Sequence, residues 1–193
     1  MSVVHSRVTC ARRVLPIALT AVCLIAVAAP ARAQDVLSKE AAAAAKASFM
    51  ADLDATSSKF IQLAQAFPQD KYTWRPMEGV RSVSEVLMLA ATEGYGFIPG
   101  LFGAKAGTPG SPQELAKVTD KTQVLDHLNK GFAYAKQQLQ AVDPATLTGK
   151  RKMMGRDMSI IDGMLFLGGD LHEHLGQLIA YARMNKIVPP WSK

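Results

Sequence analysis

The stretch Asp170-Leu171-His172-Glu173-His174-Leu175-Gly176-Gln177 concentrates ionisable groups inside an otherwise apolar helical pattern. Asp170 and His174 are four residues apart, so on a helix they lie one above the other. Both fall on one shoulder of the apolar seam formed by Ile160, Met164, Leu167, Leu171, Leu175, Leu178 and Ala182. His172 is about 200° from each and points away from that shoulder. A carboxylate and an imidazole at this spacing can hold a hard or borderline divalent metal, but two ligands are too few for a tight site. The third must come from another helix, and Glu93 is the best candidate by residue type. The resulting set is Glu93, Asp170 and His174, with water completing the shell of a zinc, nickel or manganese ion. The same spacing also fits a hydrogen-bonded Asp170-His174 pair that holds no metal.

Four amphipathic helices must position these groups. The first is predicted from Ser38 to Phe67, with Ser38 as cap and Phe49, Leu53, Phe60, Leu63 and Phe67 on one face. The second opens at Ser82, where Glu85 completes a capping box; Val83, Val86, Ala90, Gly94 and Phe97 form its apolar arc, and Leu89 and Glu93 stack along one edge. The third runs from Asp120 to Val142, with Val124, Leu125, Leu128, Phe132, Ala135 and Leu139 inward, and the last begins at Ser159, capped with Asp162, and ends near Asn185. No strand and no repeat are expected. The fold class is therefore all-α, an up-and-down four-helix bundle with a long connection between helices 2 and 3.

The connections carry secondary candidates. Trp74 reads as packing over the end of the bundle, and His127 as a boundary histidine without a ligand partner at helical spacing. In the long connection, Leu101 and Phe102 are placed to fold over a pocket mouth. Lys150, Arg151, Lys152 and Arg156 read as a solvated basic loop. Gly169, Gly176 and Ala180 make a flat strip beside Glu173 that would admit a second helix, so a homodimer contact is expected there.

The N-terminal stretch is predicted to be a signal peptide over residues 1–33. Arg7, Arg12 and Arg13 are followed by the apolar run Val14 to Ala29 and by Ala31-Arg32-Ala33, with cleavage leaving Gln34 first. A membrane anchor is the alternative, but that run is shorter than the ~20 residues a spanning helix needs, so export is expected, with no integral membrane segment in the mature domain, residues 34–193. Losing Arg7, Arg12, Arg13 and Arg32 takes the basic residues from 22 to 18 against 16 acidic ones, a net charge of about +2 rather than +6. A nucleic-acid partner is not supported by that balance. Cys10 and Cys23 both leave with the leader, which excludes a disulfide, a cysteine nucleophile and a thiolate metal site in a periplasmic or secreted chain.

The run Tyr72-Thr73-Trp74-Arg75-Pro76-Met77-Glu78-Gly79-Val80-Arg81-Ser82-Val83-Ser84-Glu85-Val86-Leu87, the pattern from His174 to Arg183, and the ending Ile187-Val188-Pro189-Pro190-Trp191-Ser192 resemble the DinB-like superfamily. The resemblance implies a four-helix bundle, frequently dimeric, and a metalloenzyme whose ion is held by one histidine of the second helix and two of the last. By position His174 matches one of those histidines, Asp170 stands at the second and Leu89 at the third. Leu89 cannot ligate, and Asp170 is a harder donor than the histidine it replaces. The activities the resemblance implies are those of low-molecular-weight thiol transferases and thiol-dependent isomerases.

Two readings follow. One is an exported DinB-like protein of unknown specific activity with a degenerate metal site, acting as a binding or interaction module or doing chemistry not visible in the sequence. The other is a divalent-metal-dependent enzyme of the thiol S-transferase or hydrolase type, in which Glu93 replaces the missing histidine.

Overall fold

The computed structural model describes residues 38–107, 110–153 and 155–192, and the predicted signal peptide lies outside them. The first helix, α1 (Lys39–Ala66), starts where Ser38 accepts the Ala41 amide at 3.1 Å and ends at the extended residue Phe67, ahead of Pro68. Its inward stripe of Phe49, Leu53, Phe60 and Leu63 follows the predicted period.

The connection after α1 is packed, not loose. Tyr72 is fully buried and its hydroxyl donates to the Ala64 carbonyl at 2.7 Å. Trp74 meets the ring of Tyr181 edge-on at 5.4 Å, the packing role expected of it. The next helix, α2 (Val83–Thr92), carries the full capping box: Glu85 N–H donates to Ser82 Oγ, and Ser82 N–H donates to Glu85 Oε2 at 2.6 Å.

Beyond α2 the structure departs from expectation. Residues Glu93–Phe97 form a π-helical turn that runs into a short helix, α3 (Ile98–Leu101). A π turn inserts one residue into the helical count and sets back the phase of everything after it. Phe97, predicted on the apolar arc, consequently faces outward and is 45% exposed. Leu101 is fully buried and Phe102 tilts against Phe49 at 6.3 Å, so this pair packs the core and does not fold over a pocket mouth.

A short helix, α4 (Pro112–Leu115), lies in the long connection and is capped by Ser111. The third long helix, α5 (Lys121–Ala141), is capped by Asp120, which accepts the Gln123 amide at 2.9 Å. Val124, Leu128, Phe132, Ala135 and Leu139 are buried on it as predicted, and Leu125 is half-buried.

The segment before the last helix is not the strandless loop expected. Strands β1 (Lys150–Met153) and β2 (Arg156–Ser159) pair antiparallel, with Lys150 opposite Ser159 and Met153 opposite Arg156. Gly155 at φ +78° takes a turn conformation that other residues avoid. The last helix, α6 (Ile160–Met184), is capped by the Ser159 side chain alone, which accepts the Asp162 amide at 3.0 Å.

The described chain is thus mostly helical, with α1 packed on α5 and α6, and α2 packed on the same two. The predicted seam of α6 is buried throughout, and one continuous core joins all four long helices. No helix among the described residues is long and apolar enough to cross a membrane.

Candidate metal centre

Glu93 opens the π turn, and two glycines explain how that turn reaches so far inward. A Cβ on Gly94 would stand 2.7 Å from the Gly131 carbonyl carbon, and one on Gly131 would stand 2.7 Å from the Ala91 carbonyl oxygen. With neither Cβ present, the backbones of the π turn and α5 touch directly. Glu93 is carried into the interior by that approach and is only 2% exposed.

Across from it, Asp170 and His174 rise from the same shoulder of α6. The Nε2 atom of His174 lies 3.5 Å from Glu93 Oε1 and 3.7 Å from Asp170 Oδ2. One ligand atom from each of the three residues falls within 4.8 Å of the others. The side chains of His174 and Asp170 are 12% and 34% exposed, so the cluster is buried on the Glu93 side and accessible on the Asp170 side. At 3.7 Å the Asp170-His174 contact is too long for a hydrogen bond. The two residues pair through charge at this distance, without the hydrogen bond that the sequence also allowed.

The electrostatics of Glu93 are unusual. Neither carboxyl oxygen has a hydrogen-bond partner of good geometry, although both are fully buried. Burial pushes its pKa up to about 9; the Asp170 carboxylate adds to this, through its negative charge and as acceptor for the Glu93 proton, and the Arg81 guanidinium opposes it. A buried carboxylate without partners costs several kcal/mol unless it stays protonated or meets a cation.

The donor set fits a divalent ion. Ligand atoms about 2.0–2.2 Å from a metal stand roughly 3–4 Å apart, which matches the two contacts at His174. Two carboxylates and one imidazole form a mixed O/O/N set suited to zinc or manganese, with nickel also compatible.

His172 lies outside this centre, as its position on the helix predicts. Its Nε2 sits 2.8 Å from Asp52 Oδ1 on the exposed side between α1 and α6. His127 is half-buried with Nδ1 3.4 Å from the Tyr95 hydroxyl, the boundary role expected. Leu89 is half-buried and lines a cavity of about 520 Å³ together with Arg75, Arg81, Met88, Thr92 and Phe97.

Sequence reasoning missed Arg81 and Tyr181. The Tyr181 hydroxyl donates to the Arg81 carbonyl at 3.0 Å and accepts from Gln177 Nε2 at 2.7 Å, which ties the start of α2 to α6. The signal was available in the spacing: Tyr181 stands four residues after Gln177 and seven after His174, on the shoulder that carries the centre. Arg81 has no periodic signal of its own.

Neither the curated proteins nor the solved structures include one that matches this chain. The profile of the DinB superfamily matches residues 52–178, a span that takes in Glu93, Leu89, Asp170 and His174 and covers well over half of the sequence. With its helices, its α2–α6 cluster and that match together, the chain belongs to the DinB superfamily.

Proposed function

We propose that this protein is an exported metal-dependent enzyme of the DinB superfamily, whose centre is Glu93, Asp170 and His174. One observation carries the reading: the buried Glu93 carboxyl, whose oxygens meet no hydrogen-bond donor of good geometry, faces an imidazole and a second carboxylate at ligand spacing. The chemistry such an ion supplies is Lewis acidity that activates water or a thiol at neutral pH, as in a hydrolase or a thiol S-transferase.

The residues divide the work around it. Glu93 is the fixed, interior ligand, held by the glycine contact with α5. His174 supplies the nitrogen donor that tightens affinity for zinc or nickel. Asp170, the most exposed of the three, stands where substrate and solvent reach the centre. The oxidising poise of a periplasm disfavours a free-thiol cosubstrate, so hydrolysis is the preferred class.

The second reading, a degenerate site in a binding module, is favoured by Leu89, which leaves the second helix without the family's histidine. Metal analysis of untagged protein after incubation with zinc, nickel and manganese separates them. One equivalent that is lost in His174→Ala and Glu93→Ala supports the enzyme reading, and no bound metal leaves the module.

The pairing of α1 and α2 with both α5 and α6 supports an up-and-down four-helix bundle. A homodimer through α6 is proposed with it. Gly169 and Gly176 are open, and Leu165, Phe166 and Met184 on the same helix are 72%, 38% and 61% exposed. Light scattering checks this, and a monomer at micromolar concentration rejects it. Export is tested by the N-terminus of the periplasmic form, which the proposal places at Gln34.

A further inference from the structure

Two clefts flank Phe97. The first, of about 520 Å³, is lined by Val80, Arg81, Met88, Leu89 and Ala116; the second, of about 340 Å³, by Gly96 and Ala106. Thr92, Phe97 and Pro112 line both, so the clefts are contiguous. Together they make an elongated apolar groove, and its first cleft alone is of ligand-pocket size.

The charges in the groove are not equally committed. Arg75 donates to the Val80 carbonyl at 3.0 Å and to Glu85 Oε1 at 3.2 Å, while Glu85 Oε2 accepts the Ser82 amide. The Thr92 hydroxyl donates to the Met88 carbonyl. Arg81 is exposed and its guanidinium makes no ion pair within 4.0 Å among the described residues. The groove therefore offers, in Arg81, a guanidinium outside any ion pair of the described residues, although within electrostatic range of the buried Glu93 carboxyl, beside largely apolar walls. A guanidinium in that position recognises a planar oxyanion through two parallel N–H bonds.

We infer that the groove beside Phe97 binds a linear amphipathic monocarboxylate, with its carboxylate on Arg81 and its tail running past Phe97 towards Gly96 and Ala106. The π turn that sends Glu93 inward also turns Phe97 outward to form the shared wall, so the groove and the metal centre arise from the same local irregularity. Binding here requires no metal.

Calorimetric titration with hexanoate, decanoate and decanol tests it, with every arm in EDTA so that failure of the metal reading leaves the result untouched. Decanoate should bind about tenfold or more tightly than hexanoate, because added methylenes enter the second cleft. It should also bind at least about tenfold more tightly than decanol. Arg81→Gln should remove the preference for the acid over the alcohol. Gly96→Leu should fill the second cleft and bring decanoate down to the affinity of hexanoate. Equal binding of decanoate and decanol, an unchanged preference in Arg81→Gln, or no binding of decanoate overturns the inference.

Discussion

Glu93 and Phe97 are the first and last residues of one π-helical turn, yet Glu93 is 2% exposed and Phe97 is 45% exposed. In a regular α-helix, residues four apart share a face. The extra residue in this turn breaks that relation, so a carboxylate goes to the interior and an aromatic ring to the surface. Such turns recur at functional sites because they re-aim side chains without ending the helix.

The raised pKa of Glu93 gives metal-free protein a distinctive pH dependence. Below about 4.5 the group is protonated whether the chain is folded or not. Between about 4.5 and 9 the folded state keeps a proton that the unfolded state has lost, so stability falls as pH rises through that window. The slope from this one group is at most about 1.4 kcal/mol per pH unit. Urea titrations in EDTA should show Glu93→Gln gaining on the wild type from pH 5 to pH 9. Parallel stability curves would contradict the assignment.

Gly94→Ala should destabilise the fold by about 1–3 kcal/mol, because the new Cβ meets backbone that cannot rotate aside. The same change should weaken metal binding by displacing Glu93. A variant of wild-type stability would mean that the π turn is free to shift away from α5.

Tyr181→Phe removes one hydroxyl that serves two partners, Gln177 and the Arg81 carbonyl. The ring contact with Trp74 is retained, so the cost should be that of the hydrogen bonds, about 1–2 kcal/mol in a denaturant series. An unchanged midpoint would show that the bridge between α2 and α6 contributes nothing.

The parts legible in sequence were those governed by periodicity and caps. Ser38, Ser82 and Ser159 each cap the helix expected of them, and the α6 seam is buried from Ile160 to Ala182. Asp170 and His174 share a shoulder because i and i+4 always do on an α-helix. The π turn was illegible because a period of 3.6 extends across Glu93 without interruption; only Gly94 and Gly96 hinted at irregular backbone. The hairpin was missed because Lys150 to Ser159 is polar and lacks the apolar alternation of a half-buried strand. Arg81 depends on a contact 100 residues away in sequence, through Tyr181.

The most direct measurement is an anomalous difference map from crystals grown with zinc, nickel or manganese and collected at the absorption edge of the ion. A single peak within bonding distance of Glu93, Asp170 and His174 is predicted, and it should vanish in His174→Ala while surviving in His172→Ala. An empty Glu93 cluster, or a peak confined to His172 and Asp52 on the surface, would contradict the metal centre.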